Sequence, residues 1–182
     1  MQYGKDVAKI LVTREEIQKR IAELADEINR DYEGKEYTLV VTLRGAVPFF
    51  ADLFCKLTGN KVDCDFIAVS SYGATTESTG EVRMSKDLSS PIKGKHIIIV
   101  EDIIDTGITL SYLKKLFEAR EPASVKVCSL LDKPSRREAE VEGDYVGFTI
   151  PNEFVIGYGL DYDQKYRNYP DICVLAPEVY GG

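Results

Sequence analysis

The 182-residue chain has no apolar run long enough to span a bilayer, and its first residues, MQYGKDVAKI, lack the apolar stretch of a secretory signal. A cytoplasmic protein is expected. The chain has one histidine, His96, and four cysteines, Cys55, Cys64, Cys128 and Cys173, without the paired spacing of zinc or redox sites. A Cys/His metal centre is therefore disfavoured, and the thiols, set mostly in apolar runs, read as core residues. Positive charge is also scarce, with 23 Lys and Arg against 30 Asp and Glu and a net charge of −7. That balance argues against a protein whose main task is gripping a nucleic-acid backbone, although it permits a local basic patch. What remains is an ordinary globular composition, 44% hydrophobic and 29% charged. A chain of this length forms one domain, or one with a small appendage, and buries roughly two-thirds of its unfolded surface.

The stretch from Lys95 to Leu113 packs a strand, a charged turn and a helix start into one run. His96, Ile97, Ile98, Ile99 and Val100 form a largely β-branched block, suited to a strand buried on both faces of a parallel sheet. Glu101, Asp102 and Asp105 follow around Ile103 and Ile104, so carboxylates crowd the point where the strand is expected to end. Thr106, Gly107, Ile108 and Thr109 then lead into Leu110, Leu113, Leu116 and Phe117, whose spacing is helical. A turn of this kind at a helix N-terminus offers unpaired amides and the positive end of the helix dipole to one space, which suits phosphate. Bare carboxylates repel phosphate, so Glu101 and Asp102 are expected to face sugar hydroxyls or a magnesium ion, which prefers oxygen ligands. Phosphate and sugar together suggest a phosphorylated ribose. On the turn alone, a strand end with solvated acids and a helix cap would read the same way.

Ahead of this centre, Thr13 and Glu16 make a capping-box pattern before Ile17, Ile21, Leu24, Ala25 and Ile28, one face of an amphipathic helix. Tyr37 to Leu43 reads as the first buried strand. Phe49, Phe50, Leu53, Phe54 and Leu57 predict a helix behind it, with Pro48 in its first turn and Gly59 ending it. Between them Arg44 and Gly45 set a cation at the carboxyl edge of the presumed sheet, where ligands of open α/β sheets bind. A plain connecting turn with a solvated arginine would look alike. Lys61 to Ser71 predicts a second strand. Tyr72 to Met84, rich in Gly, Thr and Ser, predicts a mobile loop, though a surface hairpin has similar composition. Val125 to Leu131 predicts another buried strand ending at Asp132 and Lys133, a position where lysine is ordinarily solvated. Tyr145 to Tyr169 is aromatic-rich and short-stranded, and predicts part of a small hood folded with the N-terminal residues.

Val100 to Gly107 reads VEDIIDTG, which resembles the phosphoribosyl pyrophosphate motif of the type I phosphoribosyltransferases in its hypoxanthine-guanine form. The resemblance implies that Glu101 and Asp102 hold ribose hydroxyls and metal. Asp105 aligns with the general base placed near N7 of a purine, and Thr106, Gly107, Ile108 and Thr109 with the loop that wraps the 5′-phosphate. Arg44 and Gly45 fall on the family's pyrophosphate loop, which usually contains a nonproline cis peptide. Arg44 stands where many members have Lys, so a planar fork replaces a point charge. Ser71 and Tyr72 match the flexible loop that closes over the reacting centre. The run LLDKPSRR is similar to the family's lysine segment and puts Lys133 on the 6-oxo group of a purine. FVIGYGLDY resembles the purine-binding strand, with Phe154 stacking on the base, Val155 reading ring edges through its backbone, and Asp161 holding a second magnesium. Arg167 fits the position that reaches pyrophosphate.

The resemblance covers nearly the whole chain and is most specific from Glu101 to Thr109. It implies an α/β fold of the type I phosphoribosyltransferase kind, with a central, mainly parallel, twisted sheet, helices on both faces and a small hood. Residues 1–182 are expected to form one domain, the hood drawn from the N-terminal residues and about 145–175. The implied enzyme transfers the phosphoribosyl group from 5-phosphoribosyl 1-pyrophosphate to N9 of hypoxanthine or guanine, with Mg²⁺, as a cytoplasmic homodimer or homotetramer in purine salvage. A xanthine-preferring enzyme, or a regulator that senses the sugar diphosphate on the same fold, stays open. The acidic charge and the absence of an added DNA-binding segment count against the regulator.

Overall fold

The computed structural model describes residues 3–59, 61–71 and 82–181. In chain order the elements are β1 (Val7–Val12), α1 (Arg14–Asp31), β2 (Tyr37–Leu43), α2 (Val47–Phe54), β3 (Val62–Ser71) and β4 (Val82–Lys86). They continue as β5 (His96–Ile104), α3 (Ile108–Glu118), β6 (Ser124–Asp132), β7 (Tyr145–Thr149), β8 (Val155–Ile156), β9 (Ile172–Leu175) and α4 (Pro177–Tyr180). No described helix is long and apolar enough to cross a membrane.

The main sheet has the order β4-β3-β2-β5-β6-β7, parallel throughout except for β4 at one edge. Its central strands are apolar on both faces because both faces are covered. Leu39, Val41, Ile98 and Val100 pack with α1 and α2, while the alternating residues Val40, Ile97 and Ile99 pack with α3. The stripe Ile17, Ile21, Leu24, Ala25 and Ile28 of α1 is buried as its spacing requires, and the Thr13–Glu16 capping box closes the helix start. Each large apolar side chain buried in this way favours folding by about 1.5–3 kcal/mol. A second sheet, β1-β9-β8, joins the N-terminal strand to the end of the chain.

From β2 the chain runs outward to β3 and β4, then crosses to β5 on the other side of β2. The carboxyl ends of β2 and β5 therefore form a switch point, where the two following segments part and leave a crevice.

Several sequence expectations need correction. Glu101 and Asp102 lie inside β5 rather than after it, because β6 keeps pairing with that strand at Ser129, Leu131 and Asp132. Helix α2 ends at Phe54, short of Leu57 and Gly59: the Cys55 amide caps it on Ala51 O, and the amides after that reach back only three residues, Lys56 N–H to Leu53 O and Leu57 N–H to Phe54 O. Tyr145–Thr149, expected in the hood, is the sixth strand of the main sheet, parallel to β6. Val82 to Met84, expected in a loop, pair antiparallel with β3. Tyr72 and the rest of that stretch through 81 lie outside the described residues. Of the thiols expected in the core, Cys128 and Cys173 are buried but Cys55 is exposed. His96 stays in its strand, with Nδ1 2.8 Å from Ser124 Oγ.

Candidate active site

β2 and β5 pair in parallel only as far as Val41 and Val100. Beyond that register β2 turns away through Arg44 and Gly45, while β5 continues through the two acids under the support of β6. The Leu43–Arg44 peptide is cis. Gly45 lies against Asp102 so closely that a Cβ would overlap the carboxyl group, and Gly159, at φ +99°, abuts the Gly45 carbonyl with equally little room. Two glycines thus let an acid of β5, the turn after β2 and a turn near the C-terminus stack in direct contact.

The result is a cavity of about 530 Å³ at the carboxyl edge of the sheet. Of the residues singled out in the sequence, Arg44, Gly45, Glu101, Asp102 and Asp105 line it, as do Thr106, Gly107, Thr109, Asp161 and Arg167. Ile108, Lys133, Phe154 and Val155 do not, and Ser71 ends β3 beside the undescribed stretch that holds Tyr72. A larger cavity of about 750 Å³ opens between Asp26 and Lys61, but it contains none of the predicted residues and none of the carboxylate pair.

The two adjacent acids carry the strongest electrostatic signal. Glu101 is buried, and burial together with the charge of Asp102 pushes its carboxyl up to about 8, against a hydrogen bond from Thr42. Thr42 Oγ1 lies 2.7 Å from Glu101 Oε2 and 3.0 Å from the Val100 carbonyl, so its single proton serves one acceptor at a time. Asp102 is pushed up to about 6, chiefly by burial, with the Ile103 amide at 2.9 Å and the charge of Arg167 opposing the rise. Desolvated carboxylates side by side favour protonation, or a cation between them and a ligand. Among the described residues no three carboxylates, thiols or imidazoles converge into a complete metal cage. A pair of hard oxygen donors without a cage suits an ion that takes its other ligands from water and a bound phosphate, which is the habit of magnesium. Asp161 is separately engaged, with Oδ1 2.7 Å from Arg167 Nη2 and Oδ2 accepting from the Gln164 amide at 2.9 Å.

The remaining predicted residues form a neighbouring group. Lys133 is buried and donates from Nζ to the Glu153 carbonyl at 2.9 Å. Burial lowers its ammonium pKa against the charge of Asp105, and its amide donates to the carbonyl of Ile104, a cavity residue, at 3.0 Å. Phe154 leaves one ring partly exposed, stacked on Tyr180 at 5.2 Å between centroids and edge-on to Tyr162 at 5.4 Å. Val155 is buried in β8 opposite Val174.

Sequence reasoning passed over Arg136 and Arg137, although both stand in LLDKPSRR. Arg136 Nε is 3.2 Å from Asp105 Oδ1, and Arg137 Nη1 donates to the Asp105 carbonyl at 3.1 Å. The available signal was charge, since a carboxylate at a crowded acidic strand end calls for a cation and two adjacent arginines follow the next strand.

The fold and site are those of a mainly parallel α/β sheet that gathers carboxylates, a helix-start turn and cations around one switch-point cavity. Residues 8–163 match the phosphoribosyl transferase domain, and the chain belongs to that family. It is 49% identical over 175 residues to the hypoxanthine-guanine phosphoribosyltransferase of Bacillus subtilis, covering 96% of this chain and 97% of that one. The same identity and span relate it to the bifunctional protein TilS/HprT of Listeria monocytogenes, of which it covers only 27%. A solved hypoxanthine phosphoribosyltransferase from Staphylococcus aureus superposes with a TM-score of 0.93 at 46% identity, over 97% of this chain and 96% of that one.

Proposed function

We propose that this protein transfers the 5-phosphoribosyl group from 5-phosphoribosyl 1-pyrophosphate to N9 of hypoxanthine or guanine, releasing pyrophosphate, in purine salvage. The observation that carries this reading is the convergence of the Glu101–Asp102 pair, the 105–109 turn, Arg44–Gly45 and Arg167 on one cavity. Glu101 and Asp102 hold the ribose hydroxyls and, with a bound diphosphate, would hold Mg²⁺, as Asp161 would hold a second ion. When bound, the metal neutralises charge on the departing pyrophosphate. Arg44 and Arg167 add positive charge on the same side, and residues 106–109 receive the 5′-phosphate. On the base side, Asp105 takes the proton from N7 as C1′ becomes oxocarbenium-like, while Lys133 donates to O6. Lys133 already donates to the Glu153 carbonyl, so it is oriented before the base arrives. Phe154 stacks on the ring and Val155 reads its edge. Ser71 and Tyr72 belong to the segment that excludes water.

The chain acts in the cytoplasm as one domain, assembled as a homodimer or homotetramer, which sedimentation would establish. Assay with 5-phosphoribosyl 1-pyrophosphate, Mg²⁺ and each of hypoxanthine, guanine, xanthine and adenine tests the activity. Nucleotide is expected from hypoxanthine and guanine and is lost on chelation; no nucleotide from either base would overturn the proposal.

A further inference from the structure

The 105–107 backbone is held from outside the cavity by the segment that follows β6. Three successive carbonyls accept from it: Ile104 O from the Lys133 amide at 3.0 Å, Asp105 O from Arg137 Nη1 at 3.1 Å, and Thr106 O from the amides of Glu138 and Ala139 at 2.9 and 3.1 Å. In a trans peptide the carbonyl of one residue and the amide of the next point in opposite directions. Pinning these three carbonyls outward therefore turns the amides of Asp105, Thr106 and Gly107 toward the cavity. Among the described residues none of those three amides donates a hydrogen bond within the chain.

Only the middle tie comes from a side chain. Arg137 is fixed at its other end by an ion pair with Asp132, the last residue of β6, and both side chains are largely buried. Its stem lies against Gly107, where a Cβ would stand 3.1 Å from Arg137 Cδ and 2.6 Å from Val141 Cγ1. We infer that Arg137 is a positioning residue of the phosphate turn: anchored on Asp132, it holds the Asp105 carbonyl outward and thereby presents the amides of 105–107 to an anionic ligand. The inference rests on the proposed sugar diphosphate site, and Arg137 is not among the residues that line that cavity.

The test measures affinity for inorganic phosphate by calorimetry and the KM and kcat for 5-phosphoribosyl 1-pyrophosphate in wild type, Arg137→Met, Arg137→Lys and Asp132→Asn. Arg137→Met should weaken phosphate binding and raise KM by roughly tenfold or more, the scale of one charge-assisted hydrogen bond, with a smaller change in kcat. Arg137→Lys should recover part of the loss, since an ammonium reaches one of the two partners without bridging both. Asp132→Asn should move both quantities in the same direction by a smaller factor. Unchanged phosphate affinity and KM in folded Arg137→Met, or a fall in kcat with KM intact, would overturn the inference. Should Arg137→Met fail to fold, unchanged phosphate affinity in Asp132→Asn overturns it instead. Wild-type protein that makes no nucleotide would sink the proposed activity alone, because the phosphate titration still reads the turn.

Discussion

The 105–109 turn and the 157–167 turn face one cavity, yet they are held in opposite ways. The first has its carbonyls tied to a separate segment, residues 133–139, and makes few bonds to itself. The second ties itself. Gly157 and Leu160 exchange amide and carbonyl at 3.0 Å in both directions, Gly159 N–H donates to Arg167 O at 3.0 Å, and Arg167 Nη1 returns to Gly159 O at 2.7 Å. It also holds Tyr158, Asp163, Gln164 and Tyr166 at positive φ, each at a cost on the order of 1 kcal/mol or more. The difference is between a site element set by the scaffold and one built as a rigid piece and docked. Its dock is the contact of Gly159 with the Gly45 carbonyl.

Substituting the glycine of each turn separates the two cases. An added Cβ at Gly159 meets the Gly45 backbone, which cannot yield without moving the Arg44 turn off Asp102. Strain and overpacking together should cost roughly 3 kcal/mol or more in Gly159→Ala, with activity falling alongside stability. Gly107→Ala has a positive φ of 81° to satisfy, but its closest contacts are the side chains of Val141 and Arg137 rather than backbone. Its cost should be about 1–3 kcal/mol. Urea unfolding of both variants checks the order, and equal losses would mean that the Gly159 contact is not a backbone dock.

A substitution in the braced turn itself should act on chemistry and spare the scaffold. Asp105 lies apart from the buried pair, and Arg136 flanks its carboxylate. Asp105→Asn should lower turnover by about a hundredfold or less, the usual weight of one general base, while the sugar diphosphate still binds. Turnover with hypoxanthine that stays at the wild-type level would remove Asp105 from the proton transfer.

The same contrast marks what was legible in the sequence. The capping box, the α1 stripe and the strand-turn-helix at 96–117 are local patterns whose partners lie within a few residues, so spacing alone revealed them. The extension of β5 through its acids depends on β6 more than twenty residues away, and no local pattern records that ladder. Likewise Tyr145–Thr149 looks like any short aromatic strand until β6 pairs with it. Glu101, Asp102, Asp105, Thr106 and Gly107 were legible together because VEDIIDTG is contiguous; Arg136 and Arg137 escaped because their partner, Asp105, is over thirty residues distant.

The buried acids of the scaffold side should also give stability a pH dependence. Glu101 sits at about 8 in the folded protein, above its ordinary value, so between roughly pH 4.5 and 8 the folded state holds a proton that the unfolded state has released. The stabilising contribution of this group is then greatest below that window and falls as pH rises through it, by at most about 1.4 kcal/mol per pH unit, with Asp102 acting in the same sense up to about 6. Glu101→Gln should flatten the upper part of the decline, as read by urea unfolding from pH 5 to 8.5. A wild-type profile that rises across this range would show that these acids are relieved of their repulsion in the free protein.

On the docked side the smallest effect is expected from Tyr158, which sits in the self-tied turn and reaches out to the main sheet's helices. Its hydroxyl donates to Asp52 Oδ2 at 2.5 Å, and the same carboxylate accepts from Gln18 Nε2 and lies 3.5 Å from Arg14 Nη2. Burial and the Asp52 charge together raise the Tyr158 pKa, so the hydroxyl stays a donor across the working range. Tyr158→Phe removes one donor but leaves Asp52 with its amide and guanidinium, so no buried charge is stranded. The loss should be about 1 kcal/mol, a fall in Tm of roughly 2–4 °C for a chain of this size, with hypoxanthine turnover essentially retained. Asp52→Ala should cost more, because it leaves the Tyr158 hydroxyl and the Gln18 amide without their shared acceptor. If calorimetric melting instead shows Tyr158→Phe losing as much as Gly159→Ala, the dock is governed by the tyrosine hydrogen bond, and the backbone contact at Gly45 is secondary.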